Sequence, residues 1–223
     1  MPAYNESTTI RQIVDKVMSV PLDIELIIVN DASTDDTGEI LKNEIQVKYP
    51  DIIVLTHTLN KGKTGAIKTG IPRCTGDIIT IQDADLETDP ADLVKLTEPI
   101  RKGESSVVYG SRYLNTKELH LYRSYLLGGR VLSWTVNILY GQHITDEPTC
   151  YKVFKADILK SIRLDYNRFE FCPEVTAKVS KLGYKIKELP MNYYPRSFAE
   201  GKKVNWKDGV KALWVLVKYR FVN

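Results

Sequence analysis

The sequence predicts a single α/β domain with a mostly parallel central sheet and flanking helices. Three observations predict it. Apolar strand-like runs alternate with amphipathic stretches through the first half of the chain. Two of those runs end in acids, Asn30-Asp31 and Asp83-Ala84-Asp85. A length of 223 residues, 43% of them hydrophobic, suffices to bury one sizeable core. No internal repeat, low-complexity tract or linker divides the chain.

Ile10, Ile13, Val14, Val17 and Met18 recur at helical spacing and predict an opening amphipathic helix. Ile24 to Val29 reads as a buried strand, and a polar loop from Ala32 to Gly38 leads into a helix ending near Lys48. Asp51 to Leu55 is a second strand; Thr64 to Cys74 is a helix after the turn Asn60-Lys61-Gly62-Lys63; Ile78 to Gln82 is a third strand. Asp89-Pro90 starts the next helix, because Asp accepts from free N–H groups and proline suits the first turn; it runs to Arg101, before a strand from Ser106 to Tyr109. The second half holds an apolar helix from Leu121 to Tyr140, helices at Lys155–Ser161 and Phe171–Leu182, and a strand-like Tyr184 to Tyr194. A polar loop, Pro195 to Asn205, precedes a last amphipathic helix, Trp206 to Phe221.

Composition narrows the function classes. The formal charge of +3, from 31 basic and 28 acidic residues, is too balanced to suggest a nucleic-acid binder. Cys74, Cys150 and Cys172 lie far apart, which suggests neither a disulfide framework nor a zinc site and fits a reducing compartment. The N-terminus lacks the basic start and apolar run of a signal peptide, and no window offers the roughly 18 consecutive apolar residues of a spanning helix.

In a parallel sheet, ligands gather at the carboxyl ends of strands, where this chain places Asp31, Asp83 and Asp85. Asp83 and Asp85, with Glu87 two residues on, offer oxygens to a hard divalent cation that also holds diphosphate oxygens. Taken alone, an Asp-x-Asp is also what a capped, solvated turn looks like. Gly62-Lys63-Thr64 is not a complete phosphate-binding loop, since no glycine lies five residues before Gly62, and no Gly-x-Gly-x-x-Gly follows a strand.

The ordered set of motifs is more specific. Pro2-Ala3-Tyr4-Asn5-Glu6, Val29-Asn30-Asp31-Ala32-Ser33-Thr34-Asp35, Asn60-Lys61-Gly62, Gly76-Asp77-Ile78 and Asp83-Ala84-Asp85 occur in the order seen in glycosyltransferase family 2. Gly110-Ser111-Arg112-Tyr113, Thr149 to Phe154, Phe169-Glu170-Phe171 and Arg196 with Gly201-Lys202-Lys203 resemble its polyprenyl-phosphate branch, the dolichyl-phosphate mannose and glucose synthases. The resemblance covers essentially the whole chain.

That resemblance implies an A-type glycosyltransferase fold and a metal-assisted, inverting hexosyl transfer, using Mg²⁺ or Mn²⁺. The donor would be a nucleoside-diphosphate sugar (GDP-mannose, UDP-glucose or UDP-N-acetylglucosamine) and the acceptor dolichyl or polyprenyl phosphate. It implies that residues 1–110 form the nucleotide-sugar half, with Pro2, Tyr4, Glu6, Asp31, Lys61, Asp83, Ala84 and Asp85 around the donor. Asp85 and Glu87 are the implied metal ligands, Glu87 standing where relatives often have glutamine. Residues 111–223 become the acceptor half, where Ser111, Arg112, Arg123, Arg196 and Lys203 receive the acceptor phosphate and help hold the donor diphosphate. Asp85, Arg112, Arg123 and Asp146 are the implied catalytic set, Asp146 serving equally well as a loop cap before Pro148. Arg123, Arg130 and Asn137, seven apart, share one helical stripe, while Glu170 and Glu174 are expected to be structural.

A phosphate acceptor needs no protein base, because its second pKa near 6 leaves it largely ionised at neutral pH. The apolar faces of the Arg123–Gly141 stretch and of the last helix pack on the core, on a partner subunit in a homo-oligomer, or in the headgroup region of a membrane; a lipid acceptor favours the membrane. A cytoplasmic protein attached peripherally to the cytoplasmic membrane face is therefore expected. Family members usually carry an apolar strand before the Pro-Ala-Tyr-Asn-Glu segment, so the sheet lacks its first strand or the sequence is truncated. Two rivals remain: a same-fold enzyme using a saccharide acceptor, and a non-catalytic nucleotide-sugar-binding protein.

Overall fold

The computed structural model describes residues 1–114, 123–196 and 206–222, with the side chains of 123–126 left aside. The first sheet is parallel, in the order β1 (Pro2–Ala3), β2 (Ile27–Asn30), β3 (Ile53–Thr56). The two-residue β1 stands in register with Val29 and Asn30, so a short piece of the strand expected to be missing is present. The second sheet runs β4 (Ile78–Thr80), β6 (Lys152–Lys155), β5 (Val107–Ser111), β7 (Ile186–Pro190). Only β6 is antiparallel to its neighbours among the described strands; β5 and β7 are parallel.

Alternation along the strands puts helices on both faces. On β2, Ile28 joins the core under α1 (Ile10–Met18), while Ile27 and Val29 meet Ala66 of α4 (Lys63–Gly70). On β5, Val108 packs with Leu93, Leu96 and Ile100 of α5 (Asp92–Arg101). Val107 and Tyr109 face the other way, into the largest core, with α6 (Arg123–Tyr140), α7 (Ala156–Ser161), α8 (Phe171–Lys181) and α9 (Trp206–Phe221). Each fully buried Ile, Val or Leu such as Ile13 contributes about 1.5–3 kcal/mol.

The expected helix after Gly38 is a continuous stretch of α2 (Thr37–Ile40), a π turn (Leu41–Ile45) and α3 (Gln46–Lys48), with Ile40, Leu41 and Ile45 all turned into one core. Strand β6 is not foreseen by the sequence reading, because a lysine begins it and another ends it. Lys152 is nevertheless fully buried, its ammonium donating to the Glu147 and Thr149 carbonyls and lying 4.1 Å from the centre of the Tyr109 ring. A buried cation is tolerable only with such partners.

Candidate active site

Three loops leave the carboxyl ends of β1, β2 and β4, and each contains a non-glycine residue with positive φ: Asn5 (53°), Ala32 (58°) and Leu86 (62°). Such conformations cost energy and concentrate where surrounding structure holds a site in place. Asp31, 2% exposed, is locked by four donors or donor-capable groups. The Lys61 N–H and His57 Nδ1 reach its Oδ1 at 2.9 and 2.6 Å, the Gly62 N–H reaches Oδ2 at 2.7 Å, and Asn60 donates to its carbonyl. Gly62 has φ +82°, and a Cβ there would stand 2.7 Å from the Asn167 carbonyl oxygen, so only glycine suits this turn.

The next residue carries the site across to β4. Lys63 opens α4 and its ammonium lies 2.7 Å from Asp83 Oδ2. Burial raises the Asp83 carboxyl, but the charge of Lys63 together with hydrogen bonds from Lys63 and Cys150 holds it below its ordinary value; burial in turn lowers Lys63, and the surrounding acidic groups, Asp83 foremost, push it up. Asp85 has the opposite fate. Burial first, then the negative charges of Asp83 and Glu87, lift it from 3.8 to about 7, against the pull of Arg196. Ala84 is buried and spaces the two aspartates. Arg196 Nη2 lies 3.1 Å from Asp85 Oδ2 and Nη1 3.3 Å from Glu6 Oε2, drawing the β1 and β4 loops together.

Glu87 is tied down at both oxygens: Tyr193 Oη donates to Oε2 at 2.8 Å and the Arg196 N–H to Oε1 at 3.1 Å. The Tyr193 ring also lies 4.9 Å beneath the Arg112 guanidinium, linking these acids to a second cluster at the end of β5. There Asp146, fully buried, takes Arg112 Nε at 2.8 Å, Nη2 at 2.7 Å and the Arg112 N–H at 2.9 Å. Glu188 holds the same loop by accepting from the Thr145 and Asp146 N–H groups, and burial raises its carboxyl. Ser111 is fully buried, bonded to Thr145 at 2.6 Å and accepting from the Tyr113 N–H, so it supports the loop from beneath.

The structure thus brings Glu6, Asp31, Asp83, Asp85 and Glu87 into one connected set with Arg112, Asp146 and Arg196. Pro2 lies in β1, and Lys61 enters the set through its backbone, its residue being exposed. Tyr4 is half-buried just after β1. The Arg123 side chain and Lys203 fall outside what the structure describes, as does most of the Pro195–Asn205 loop. Of the predicted stripe on α6, Arg130 lies 6.0 Å from the Tyr113 ring and Asn137 braces the Ile144 backbone. Glu174 is structural as expected, holding the Asp165 N–H and Lys178. Sequence reasoning missed His57, Lys63, Glu188 and Tyr193; only His57, standing directly after β3 as Asp31 stands after β2, carried a positional signal.

Among the described residues, no three His, Cys, Asp or Glu side chains converge as a complete metal cage. The donor set still fits a hard cation: Mg²⁺ and Mn²⁺ favour carboxylate oxygens, and such ions are commonly held by one or two carboxylates plus substrate phosphates. Asp85 offers that carboxylate in an acid-rich setting.

Comparison with known proteins agrees with this architecture. The family model "Glycosyl transferase family 2" matches residues 1–163. The chain is 30% identical to a UDP-N-acetylglucosamine–dolichyl-phosphate N-acetylglucosaminyltransferase of Methanococcus voltae, over 97% of this chain and 93% of that one. It is 27% identical to a dolichol-phosphate mannosyltransferase of Pyrococcus furiosus, over 91% of this chain and 57% of that longer one. A crystal structure of glucosyl-3-phosphoglycerate synthase from Mycobacterium tuberculosis, in complex with Mn²⁺, UDP-glucose and phosphoglyceric acid, superposes with a TM-score of 0.72 at 19% identity, covering all of this chain and 78% of that one. The chain belongs to glycosyltransferase family 2, with the A-type fold, and is a hexosyltransferase. The resemblance to the polyprenyl-phosphate branch is borne out by these relatives.

Proposed function

We propose that the enzyme moves a hexose from a nucleoside-diphosphate sugar to the phosphate of a dolichyl or polyprenyl lipid at a membrane surface, assisted by Mg²⁺ or Mn²⁺. The observation that carries this reading is the direct abutment of an acid-rich donor site and an arginine site, joined by Tyr193 between Glu87 and Arg112. Residues 1–110 supply the donor side, through Glu6, Asp31, Lys61, Asp83 and Asp85, with Pro2, Tyr4 and Ala84 lining the strand ends. Residues 111–223 supply the cationic side, through Arg112, Arg123, Arg196 and Lys203, which receives the acceptor phosphate and helps hold the donor diphosphate. A divalent ion on Asp85, with Glu87 beside it, would neutralise charge on the departing diphosphate.

The chain's own residues orient the reactants. Asp146 fixes Arg112 as a planar fork, and the Nη1 donors, unbonded among the described residues, are suited to a phosphate oxygen. That oxygen is already ionised and attacks the anomeric carbon with inversion, so positioning and charge stabilisation do the work. The acids beside Arg112, Asp146 and Glu188, are occupied in holding its loop and are not poised as general bases, which favours phosphate over a hydroxyl acceptor.

No helix among the described residues is long and apolar enough to cross a membrane. Support for peripheral docking comes from two exposed stripes with the same spacing. Leu127, Val131, Trp134 and Ile138 lie on α6; Val210, Trp214, Val217 and Phe221 lie on α9. The helices are joined by a hydrogen bond from Tyr140 Oη to the Leu216 carbonyl. Trp and Lys beside such stripes suit the headgroup region. The acceptor is tested by offering a short polyprenyl phosphate and the matching polyprenol: the phosphate is glycosylated and the alcohol is not. Glycosylation of the alcohol, or of a saccharide alone, would overturn this reading.

A further inference from the structure

Arg196 is unlike the other site arginine. Arg112 makes a forked pair with one acid, whereas the Arg196 guanidinium is divided among three: Glu6 at 3.3 Å, Asp85 at 3.1 Å and Glu87 at 3.7 Å. Its Nε is buried and makes no hydrogen bond among the described residues, because Glu87 lies too far from it and already accepts from Tyr193 Oη and the Arg196 N–H. All four side chains are at most 18% exposed, so water screens them poorly. Among the described residues, these three acids share this one guanidinium.

We propose that Arg196 is a resident counter-ion that exchanges places with the divalent cation, leaving Asp85 for the diphosphate when cation and nucleotide enter together. The inference rests on the metal-assisted reading above. A divalent cation on Asp85 Oδ2 and a guanidinium nitrogen 3.1 Å from that oxygen repel one another and compete for the same lone pairs. Without nucleotide, the cation must drive Arg196 off its acids with nothing in return. With nucleotide, the displaced guanidinium gains diphosphate oxygens, which its planar fork fits well. Cation and nucleotide then bind with positive, reciprocal coupling, and Arg196 is the residue through which they are coupled.

The experiment is Mn²⁺ binding to the full chain, followed by electron paramagnetic resonance of free Mn²⁺ with no acceptor present. It is run alone and with UDP or GDP, correcting for Mn²⁺–nucleotide complexes in solution. In the unaltered protein, the better-bound nucleotide tightens Mn²⁺ binding by about tenfold or more. Arg196→Gln binds Mn²⁺ alone about tenfold more tightly than the unaltered protein, and its nucleotide coupling shrinks to about threefold or less. Arg196→Lys, which keeps the charge but not the fork, binds Mn²⁺ alone near the unaltered value and shows coupling between those of Arg196→Gln and the unaltered protein. Circular dichroism confirms that each variant is folded, and Arg196→Met is measured in parallel, with the same tighter Mn²⁺ binding and reduced coupling expected, should Arg196→Gln fail to fold. Equal or weaker Mn²⁺ binding by Arg196→Gln, or absence of coupling in the unaltered protein, overturns the exchange while leaving the metal site standing. No Mn²⁺ binding by any form, even with nucleotide, would remove the metal reading and this inference with it.

Discussion

Asp35 shows what a single side chain does for the donor site. Its carboxylate accepts from the Ser7 and Thr37 N–H groups, each at 3.0 Å, and from Thr37 Oγ1 at 2.6 Å, pinning the loop after β1 to the start of α2. Burial opposes ionisation, but the bonds from Thr37 and Ser7 prevail and hold the carboxyl at about 2, below its ordinary 3.8. A depressed carboxyl stabilises the fold above the unfolded value and loses that contribution as pH falls from 3.8 through 2. Asp35→Asn is therefore expected to cost about 1–2 kcal/mol at pH 7, discounted for partial solvent screening. Urea melts of both proteins should show this gap narrowing towards pH 2; a gap independent of pH would contradict the assignment. Asp31, Asp85 and Arg112 were legible because each follows an apolar run that announces a strand. Tyr193 and Glu188 were not, since their importance comes from the register of β7 against β5, which pairs Glu188 with Tyr109 and brings the following loop over Glu87.

Among the elements, α1 and α9 read directly from the sequence to their terminal residues, because their apolar periodicity is uninterrupted. Strand β6 escaped because its burial depends on the tertiary partners of Lys152, which local sequence does not display. Strand β4 is shorter than the apolar run Ile78–Gln82 that contains it, since pairing ends while Ile81 and Gln82 are still buried, and β2 begins only at Ile27, after the half-buried Ile24 and exposed Glu25. Helices α6 and α9 carry the membrane argument at this scale. Trp134 and Trp214 are 66% and 56% exposed, so replacing both by Glu removes apolar docking surface without opening the core. The double variant should fold normally and lose about tenfold or more of its binding to anionic lipid vesicles in flotation assays. Unchanged flotation would show that these stripes face something other than a bilayer.

At the scale of the molecule, the first sheet delivers Glu6 and Asp31, the second delivers Asp85 and Arg112, and Arg196 and Tyr193 tie the two sets together. The ordered motifs singled out Glu6, Asp31, Asp85 and Arg112 but did not show how two sheets share them, while donor base and sugar depend on pocket shape that motifs do not encode. The proposed reaction places a cation on Asp85 and its neighbours, a phosphate on Arg112, and transfer between them. The measurement that tests this most directly is transfer of radiolabel from UDP-glucose, UDP-N-acetylglucosamine and GDP-mannose, separately, to a short polyprenyl phosphate in detergent with Mn²⁺ or Mg²⁺. The predicted result is a labelled lipid from one donor, lost with EDTA and reduced about a hundredfold or more in Asp85→Ala. Labelled lipid that forms equally without metal and in Asp85→Ala, or no labelled lipid from any donor while nucleotide still binds, would contradict it.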